Sequence, residues 1–108
     1  MVKKEIIEKL KEFRSALQDS GVKVTKLVLY GSYANGHFSE YSDIDVAVVS
    51  SDFGKDRFEE GVKLLEIAYK IDPRIEAVPV SIHSYKTDTW VPLIYEIRKK
   101  GVEIKTTS

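Results

Sequence analysis

The residues best suited to chemistry are two aspartates at the start of an apolar segment. Asp43 and Asp45 flank Ile44, where the valine-rich run 44–49 begins. Residues two apart on a strand project to the same face, so both carboxylates are expected at one spot. Close carboxylates repel each other unless a cation lies between them, and oxygen ligands suit a hard cation such as Mg²⁺. Taken alone, the pair is equally well interpreted as solvated turn aspartates.

A Gly-Ser pair ends the preceding apolar segment. Gly31-Ser32 follows directly after the run 27–30. A glycine at such a turn lets the backbone approach a phosphate closely, and the Ser32 hydroxyl and exposed backbone amides can donate to its oxygens. In isolation the pair is better interpreted as an ordinary strand-ending turn.

The combination of the two motifs is much rarer than either one. Ten residues separate Gly31-Ser32 from Asp43, and Asp45 follows at the opening of the next apolar segment. This pattern resembles the DNA polymerase β-like nucleotidyltransferase superfamily, and more closely the minimal nucleotidyltransferases that are antitoxin partners of HEPN-domain proteins. Those proteins carry Gly-Ser, ten residues and Asp-x-Asp. Gly36 and Ser42 also match, since several relatives have a loop glycine and a serine just before the first aspartate.

The resemblance implies a third carboxylate on a later strand, and Glu76 fits that place. It lies within the otherwise apolar run 75–78. Burying a lone carboxylate costs free energy, so an acid inside such a strand needs a partner, and a metal is one. The alternative is that Glu76 faces water on an edge strand. Asp72 is the nearest rival, but it precedes Pro73 and is better explained as a turn residue.

The activity implied by the resemblance is transfer of AMP from ATP to an acceptor hydroxyl. The implied cofactor is Mg²⁺, bound as two ions. The catalytic and metal-binding residues would be Asp43, Asp45 and Glu76, and the nucleotide-binding residues would be Gly31, Ser32 and Ser42. Many relatives carry an arginine where this chain has Asn35. An arginine there can assist triphosphate binding, so Asn35 keeps open the alternative of a weak or inactive enzyme.

The expected partner, again from the resemblance, is a HEPN-domain toxin whose tyrosine hydroxyl accepts AMP. A competing hypothesis is an antitoxin that neutralises its partner by contact alone. Adenylylation of a small molecule such as an aminoglycoside would require a substrate domain for which 108 residues leave no room. A homo- or hetero-oligomer is compatible with each of these hypotheses.

The helices and strands that must position these residues are predicted to form a mixed α/β (α+β) fold, with helices packed against one small mixed sheet. Apolar residues at helical spacing predict a helix over 2–17 that Gly21 ends. Strands are predicted over 24–30, 44–49 and 75–81. The second should be central, because it is apolar on both faces, and Pro79 indicates an edge or a bulge in the third. The segment 32–42 reads as a loop or one short helical turn.

Two more helices and a short strand complete the prediction. The apolar face of the middle helix is predicted from residues at helical spacing, namely Phe58, Val62, Leu65 and Tyr69. Asp72-Pro73 should close that helix. A last helix is expected over 89–100, capped by Thr87 or Asp88 and with Pro92 in its first turn, followed by an edge strand over 102–104.

Composition indicates one globular domain over residues 1–108. Apolar residues make up 43% of the chain, too many for a disordered protein. The 17 basic and 17 acidic residues balance, which argues against a nucleic-acid partner held by charge. The chain contains no cysteine, which excludes disulfides and thiolate metal sites. With no apolar run of about 20 residues and no signal-peptide core at the start, a cytoplasmic protein without a membrane partner is expected.

Overall fold

A computed structural model of the chain describes residues 3–39 and 41–105. The described elements are, in order, α1 (Lys4–Asp19), β1 (Lys26–Tyr30), α2 (Ser32–Asn35), β2 (Ile44–Ser50), α3 (Arg57–Ile71), β3 (Ile75–Ser81), α4 (Ile82–Thr87), α5 (Pro92–Lys99) and β4 (Val102–Glu103). The mixed α/β class predicted from the sequence is confirmed. The short α2 corresponds to the single helical turn allowed for the segment after Gly31.

Four strands form one sheet in the order β3-β2-β1-β4. β1 pairs antiparallel with β2 and with β4, whereas β2 and β3 run parallel. The central position predicted for β2 is confirmed, and its Ile44, Val46 and Val48 are buried on one face while Ala47 and Val49 are buried on the other. β3 is an edge strand, which accommodates Pro79 because one side of an edge strand needs no N–H donor.

Helices cover both faces of this sheet. On the first face, α1 and α3 pack against Leu27, Leu29 and the inward residues of β2. On the second face, α4 and α5 pack against Val28, Ala47 and Val49 through residues that include Ile94 and Ile97. Burying apolar side chains on both faces is the main stabilising contribution to such a layered domain.

The first helix follows its sequence pattern closely. Its buried residues are Ile6, Leu10, Phe13 and Leu17, all among the predicted apolar positions. It ends at Asp19, and Gly21 follows in a positive-φ conformation (φ 88°), as the glycine signal predicts. Val2, the first residue of the predicted helix, lies outside the described residues.

The middle helix has the predicted extent but a different buried face. The apolar residues that predicted it are exposed, with Phe58 at 77%, Leu65 at 50% and Tyr69 at 71% of their full accessible surface. Its buried residues are Leu64 and Ala68. Both sets of residues recur at helical spacing, so periodicity alone is compatible with either set being buried. Packing against the sheet places the smaller Ala68 in the interface. The sequence-based choice of the buried face was therefore wrong.

The C-terminal third differs from the prediction at its start. A short helix, α4, begins at Ile82 directly after β3 and is capped by Ser81, whose Oγ accepts a hydrogen bond from Ser84 N (3.1 Å). The last helix begins only at Pro92, and its N-cap is Val91, so the predicted caps Thr87 and Asp88 were wrong. Proline fits the first helical position because that residue has no intrahelical partner for an N–H.

No helix among the described residues has the length and apolar character that crossing a membrane requires.

Candidate active site

Three polar side chains form a row across one end of the second sheet face. Asp45 lies opposite Tyr30 in the antiparallel β1–β2 pair and opposite Glu76 in the parallel β2–β3 pair. Residues directly opposite on adjacent strands project to the same side, and Asp45 shares its side with Ala47 and Val49. The row therefore continues the apolar surface covered by α4 and α5, at the end where polar residues replace apolar ones.

The Gly-Ser turn lies against the middle of this row. Gly31 adopts φ 72° and ψ −149°, a conformation that residues with a side chain rarely reach. A Cβ built on Gly31 would overlap Asp45 Oδ2 and lie 3.3 Å from Asp45 Cγ. The glycine is thus needed for close contact with the carboxylate, a reason that the sequence pattern alone did not show. Ser32 follows at the start of α2 and is half-buried.

Asp43 and Ser42 occupy the loop that enters β2. Asp43 is exposed, two residues before Asp45. Ser42 Oγ accepts a hydrogen bond from Ser39 N (2.9 Å), and Ser42 N donates to Ser39 O (3.1 Å), so this serine closes a tight turn just ahead of Asp43. The role of Ser42 in nucleotide binding stays a prediction.

Glu76 lies on the strand where the resemblance implied a third carboxylate. It is not buried, however, so the argument that a buried acid needs a metal partner does not apply. It is exposed on the edge strand, as the alternative interpretation held. A carboxylate in water needs no partner, so desolvation does not explain an acid at this position. What the structure adds is its register: Glu76 lies directly beside Asp45 on the neighbouring strand.

The electrostatics of the row are those of crowded acids. Burial raises the pKa of Asp45 above its ordinary value, and the negative charges of Glu76, Asp43 and Glu96 raise it further. Burial, with the charges of Asp45, Glu96 and Glu76, also raises the pKa of Tyr30 to about 12. Tyr30 is therefore a neutral hydroxyl at physiological pH. The site favours a cation and disfavours any further negative charge.

Two members of this site were missed from the sequence. Tyr30 was treated only as the last residue of a strand, although it directly precedes Gly31. Glu96 was treated only as part of a helix, yet its charge acts on both Asp45 and Tyr30. A signal was present for Glu96, because this half-buried acid borders the apolar face of α5 between Ile94 and Ile97.

The donor atoms fit a hard divalent cation. Asp43, Asp45 and Glu76 offer only carboxylate oxygens, the ligands that Mg²⁺ prefers. Over residues 3–39 and 41–105, no three His, Cys, Asp or Glu side chains already lie in an arrangement that could hold a metal ion. Two observations support a cation at this position. Glu76 lies beside Asp45 in the strand register, and the acids repel one another in the absence of a positive charge. Metal binding by these three residues stays a prediction.

Comparison with known proteins identifies the family. A model of the nucleotidyltransferase domain matches residues 6–106. The chain is 32% identical over 104 residues to a Methanocaldococcus jannaschii protein named "Putative protein adenylyltransferase MJ0141", covering 93% of this chain and 99% of the relative.

Solved structures show the same fold. One is a toxin–antitoxin complex with AMP-PNP, for which the TM-score is 0.60 and the identity 25%, covering 94% of this chain and 74% of that one. Another is a tri-AMPylated HEPN toxin of Shewanella oneidensis in complex with its MNT antitoxin, with a TM-score of 0.55 and 24% identity, covering 92% and 71%. The family match spans the Gly-Ser turn, the Asp-x-Asp pair and the strand of Glu76, so the chain belongs to the nucleotidyltransferase domain family, within which it resembles the minimal nucleotidyltransferase antitoxins.

Proposed function

We propose that this protein is a metal-dependent protein adenylyltransferase that transfers AMP from ATP to a tyrosine hydroxyl of a HEPN-domain toxin. The observation that carries the proposal is the placement of Asp45 beside Glu76 in register and against the Gly31 turn. Carboxylates next to a phosphate-binding turn suit phosphoryl chemistry, in which catalysis is largely positioning and charge neutralisation.

In the proposed reaction the acceptor oxygen attacks the α-phosphorus of ATP. A new oxygen–phosphorus bond forms, the bond from the α-phosphorus to the bridging oxygen breaks, and pyrophosphate leaves. Gly31 and Ser32 would bind the outer phosphates through the backbone and the serine hydroxyl. Glu76, which is exposed beside Asp45, would take the proton of the acceptor. Asp43, Asp45 and Glu76 would hold Mg²⁺, and that ion would supply charge neutralisation for the triphosphate and would lower the pKa of the acceptor hydroxyl.

The acceptor is proposed to lie on a partner protein because the acids are accessible from outside the domain. The described fold is one sheet with helices on both faces, and its Asp43 and Glu76 side chains are exposed, so a hydroxyl carried by another protein could reach them. The solved relatives that include a HEPN toxin, one of them tri-AMPylated, support the choice of partner and of AMP as the transferred group.

The test of turnover is Asp45→Asn, which keeps the size of the side chain but removes its charge. With radioactive ATP, Mg²⁺ and the HEPN protein as substrate, label transfer should fall by about a hundredfold or more, since charge neutralisation contributes several kcal/mol to such reactions. Neutralisation of the toxin in cells should be lost in parallel. The matched control is Asp19→Asn, an exposed aspartate at the far end of α1, which should transfer label like the wild type.

Nucleotide binding is tested separately. ATP with Mg²⁺ at a hundred times its Kd should stabilise the native protein by about 2.7 kcal/mol through mass action. Replacing both Asp43 and Asp45 by Ala should abolish the rise in Tm, measured against the Tm of the same variant without nucleotide. A rise that survives the double substitution would place the nucleotide elsewhere.

A second candidate function is an antitoxin that acts by contact alone. It is favoured by the exposed apolar residues of α3, among them Phe58 and Tyr69, because contiguous exposed apolar surface is typical of protein–protein interfaces. Asn35, in place of the arginine of many relatives, favours it too. Full neutralisation by Asp45→Asn, with no AMP found on the toxin, would replace the enzymatic proposal by this one.

A further inference from the structure

An ion pair between the buried Asp72 and the half-buried Arg74 lies at the junction between α3 and β3, on the opposite side of the sheet from the row of acids. Asp72 is only 7% exposed. Arg74 donates to it from three positions: the backbone N to Oδ1 (2.8 Å), Nε to Oδ1 (3.1 Å) and Nη2 to Oδ2 (2.9 Å). Two parallel side-chain bonds fix the plane of the guanidinium as well as its position.

This pairing keeps Asp72 charged. The hydrogen bonds from the Arg74 side chain hold the pKa of that carboxyl well below its usual range. Lys9 of α1 contacts the same carboxylate, with Nζ 3.4 Å from Oδ2. Asp72 therefore stays charged near neutral pH, and its two side-chain hydrogen bonds with Arg74 orient the guanidinium.

The same guanidinium reaches the segment that follows the Gly-Ser turn. Arg74 Nη1 donates to Tyr33 Oη (3.2 Å), and Tyr33 Oη donates to the carbonyl of Ser39 (3.3 Å). The Tyr33 ring is stacked on Phe38, with 4.7 Å between centroids and 14° between planes. Arg74 thus holds both α2 and the loop behind it through one buried tyrosine.

Arg74 also adjoins the acids through its backbone. Its carbonyl accepts a hydrogen bond from Ile44 N (2.8 Å), the residue between Asp43 and Asp45. Glu76 follows two residues later on β3. A single residue therefore connects the Gly-Ser turn, by way of Tyr33, with the strand ends that carry the carboxylates.

We propose that Arg74 is a positioning residue: held by Asp72, it uses Tyr33 to fix the Gly31–Ser32 turn relative to Asp45 and Glu76. The inference rests on the proposed binding of ATP phosphates at that turn. A turn free to shift would bind the triphosphate out of line with the acids, so loss of this link weakens ATP binding while the fold persists.

The test uses two variants and one matched control. Tyr33→Phe removes only the hydroxyl and keeps the stacked ring, and Arg74→Lys keeps the charge but loses the fork that reaches Asp72 and Tyr33 together. The control is Lys9→Met, which also removes an ion-pair partner of Asp72 but has no contact with Tyr33 among those described. Tyr33→Phe and Lys9→Met should lower Tm only slightly, because each loses few contacts, and Arg74→Lys should lower it more, because it weakens the pairing with the buried Asp72 carboxylate.

The discriminating measurements are the KM for ATP and amide exchange in the turn. We expect Tyr33→Phe and Arg74→Lys to raise the KM for ATP about tenfold, the effect of losing one hydrogen bond to a charged group, and Lys9→Met to leave it within about twofold. Exchange of the Asn35 and His37 amides, which donate to Gly31 O and Ser32 O, should be faster in the first two variants only.

Each result decides one hypothesis. If the two variants match Lys9→Met in both KM and exchange, Arg74 only stabilises the fold and the positioning role is wrong. If the wild type neither binds nor uses ATP, the proposed function fails, and amide exchange alone still decides whether Arg74 holds the turn.

Discussion

Gly31 lies so close to Asp45 that a methyl group on the glycine would overlap the aspartate carboxylate. The Gly31-Ser32 turn and the Asp-x-Asp pair, ten residues apart along the chain, are thus in direct contact through a position that only glycine can occupy. The two motifs therefore pack as one unit, and substitution of the glycine tests how tightly they are joined.

Gly31→Ala should destabilise the protein by about 3 kcal/mol, since it combines a strained backbone with an overlap on Asp45. Gly36→Ala is the matched control. Its φ is also positive, at 78°, but nothing lies within 4 Å of an added Cβ, so only about 1 kcal/mol should be lost. Chemical denaturation measures both. Equal losses would show that Asp45 moves aside without cost to make room for the added methyl group.

Glu76→Gln should lower AMP transfer by roughly a hundredfold while changing the free energy of unfolding by less than about 0.5 kcal/mol, because the side chain is exposed. Glu103→Gln, an exposed acid on the other edge strand β4, should leave transfer unchanged. Transfer to the HEPN protein and Tm are measured for both variants. Normal transfer by Glu76→Gln would remove this residue from the proposed machinery.

Asp72→Asn should be less stable than the wild type by about 2 kcal/mol at pH 7, because it removes the charge of a buried carboxylate paired with Arg74 while keeping the shape of the side chain. The folded-state pKa of Asp72 is depressed, so its contribution is present above the ordinary value of 3.8 and is lost as pH falls towards the folded-state pKa. The difference in unfolding free energy should therefore shrink below pH 4. A difference that is constant from pH 7 to pH 3 would contradict the charge-based explanation.

Adjacent leucines on α3 test the orientation of this helix. Leu64 is fully buried and Leu65 is 50% exposed. Leu64→Ala should cost about 3 kcal/mol through lost burial and a cavity, whereas Leu65→Ala should cost less than about 1 kcal/mol. A larger loss of unfolding free energy for Leu65→Ala than for Leu64→Ala, measured by denaturation, would show that the buried face is the one predicted from the sequence.

The local elements of this protein were predictable because each depends on short-range signals. The buried face of α1 follows from Ile6, Leu10, Phe13 and Leu17, and β2 shows its central place by being apolar on both faces. The spacing of Gly31-Ser32 and Asp43 was sufficient to show a resemblance to the nucleotidyltransferases, and the family match over residues 6–106 confirms it.

Tertiary structure decided what periodicity and composition leave open. On α3 two apolar stripes share the helical period, and only contact with the sheet selected Leu64 and Ala68. Strand register placed Glu76 beside Asp45, and no local signal determines which residues of two strands lie opposite each other. Glu96 and the Arg74–Tyr33 link join segments distant in sequence, because a charge or a hydrogen bond acts through space, and the folded chain alone sets those distances.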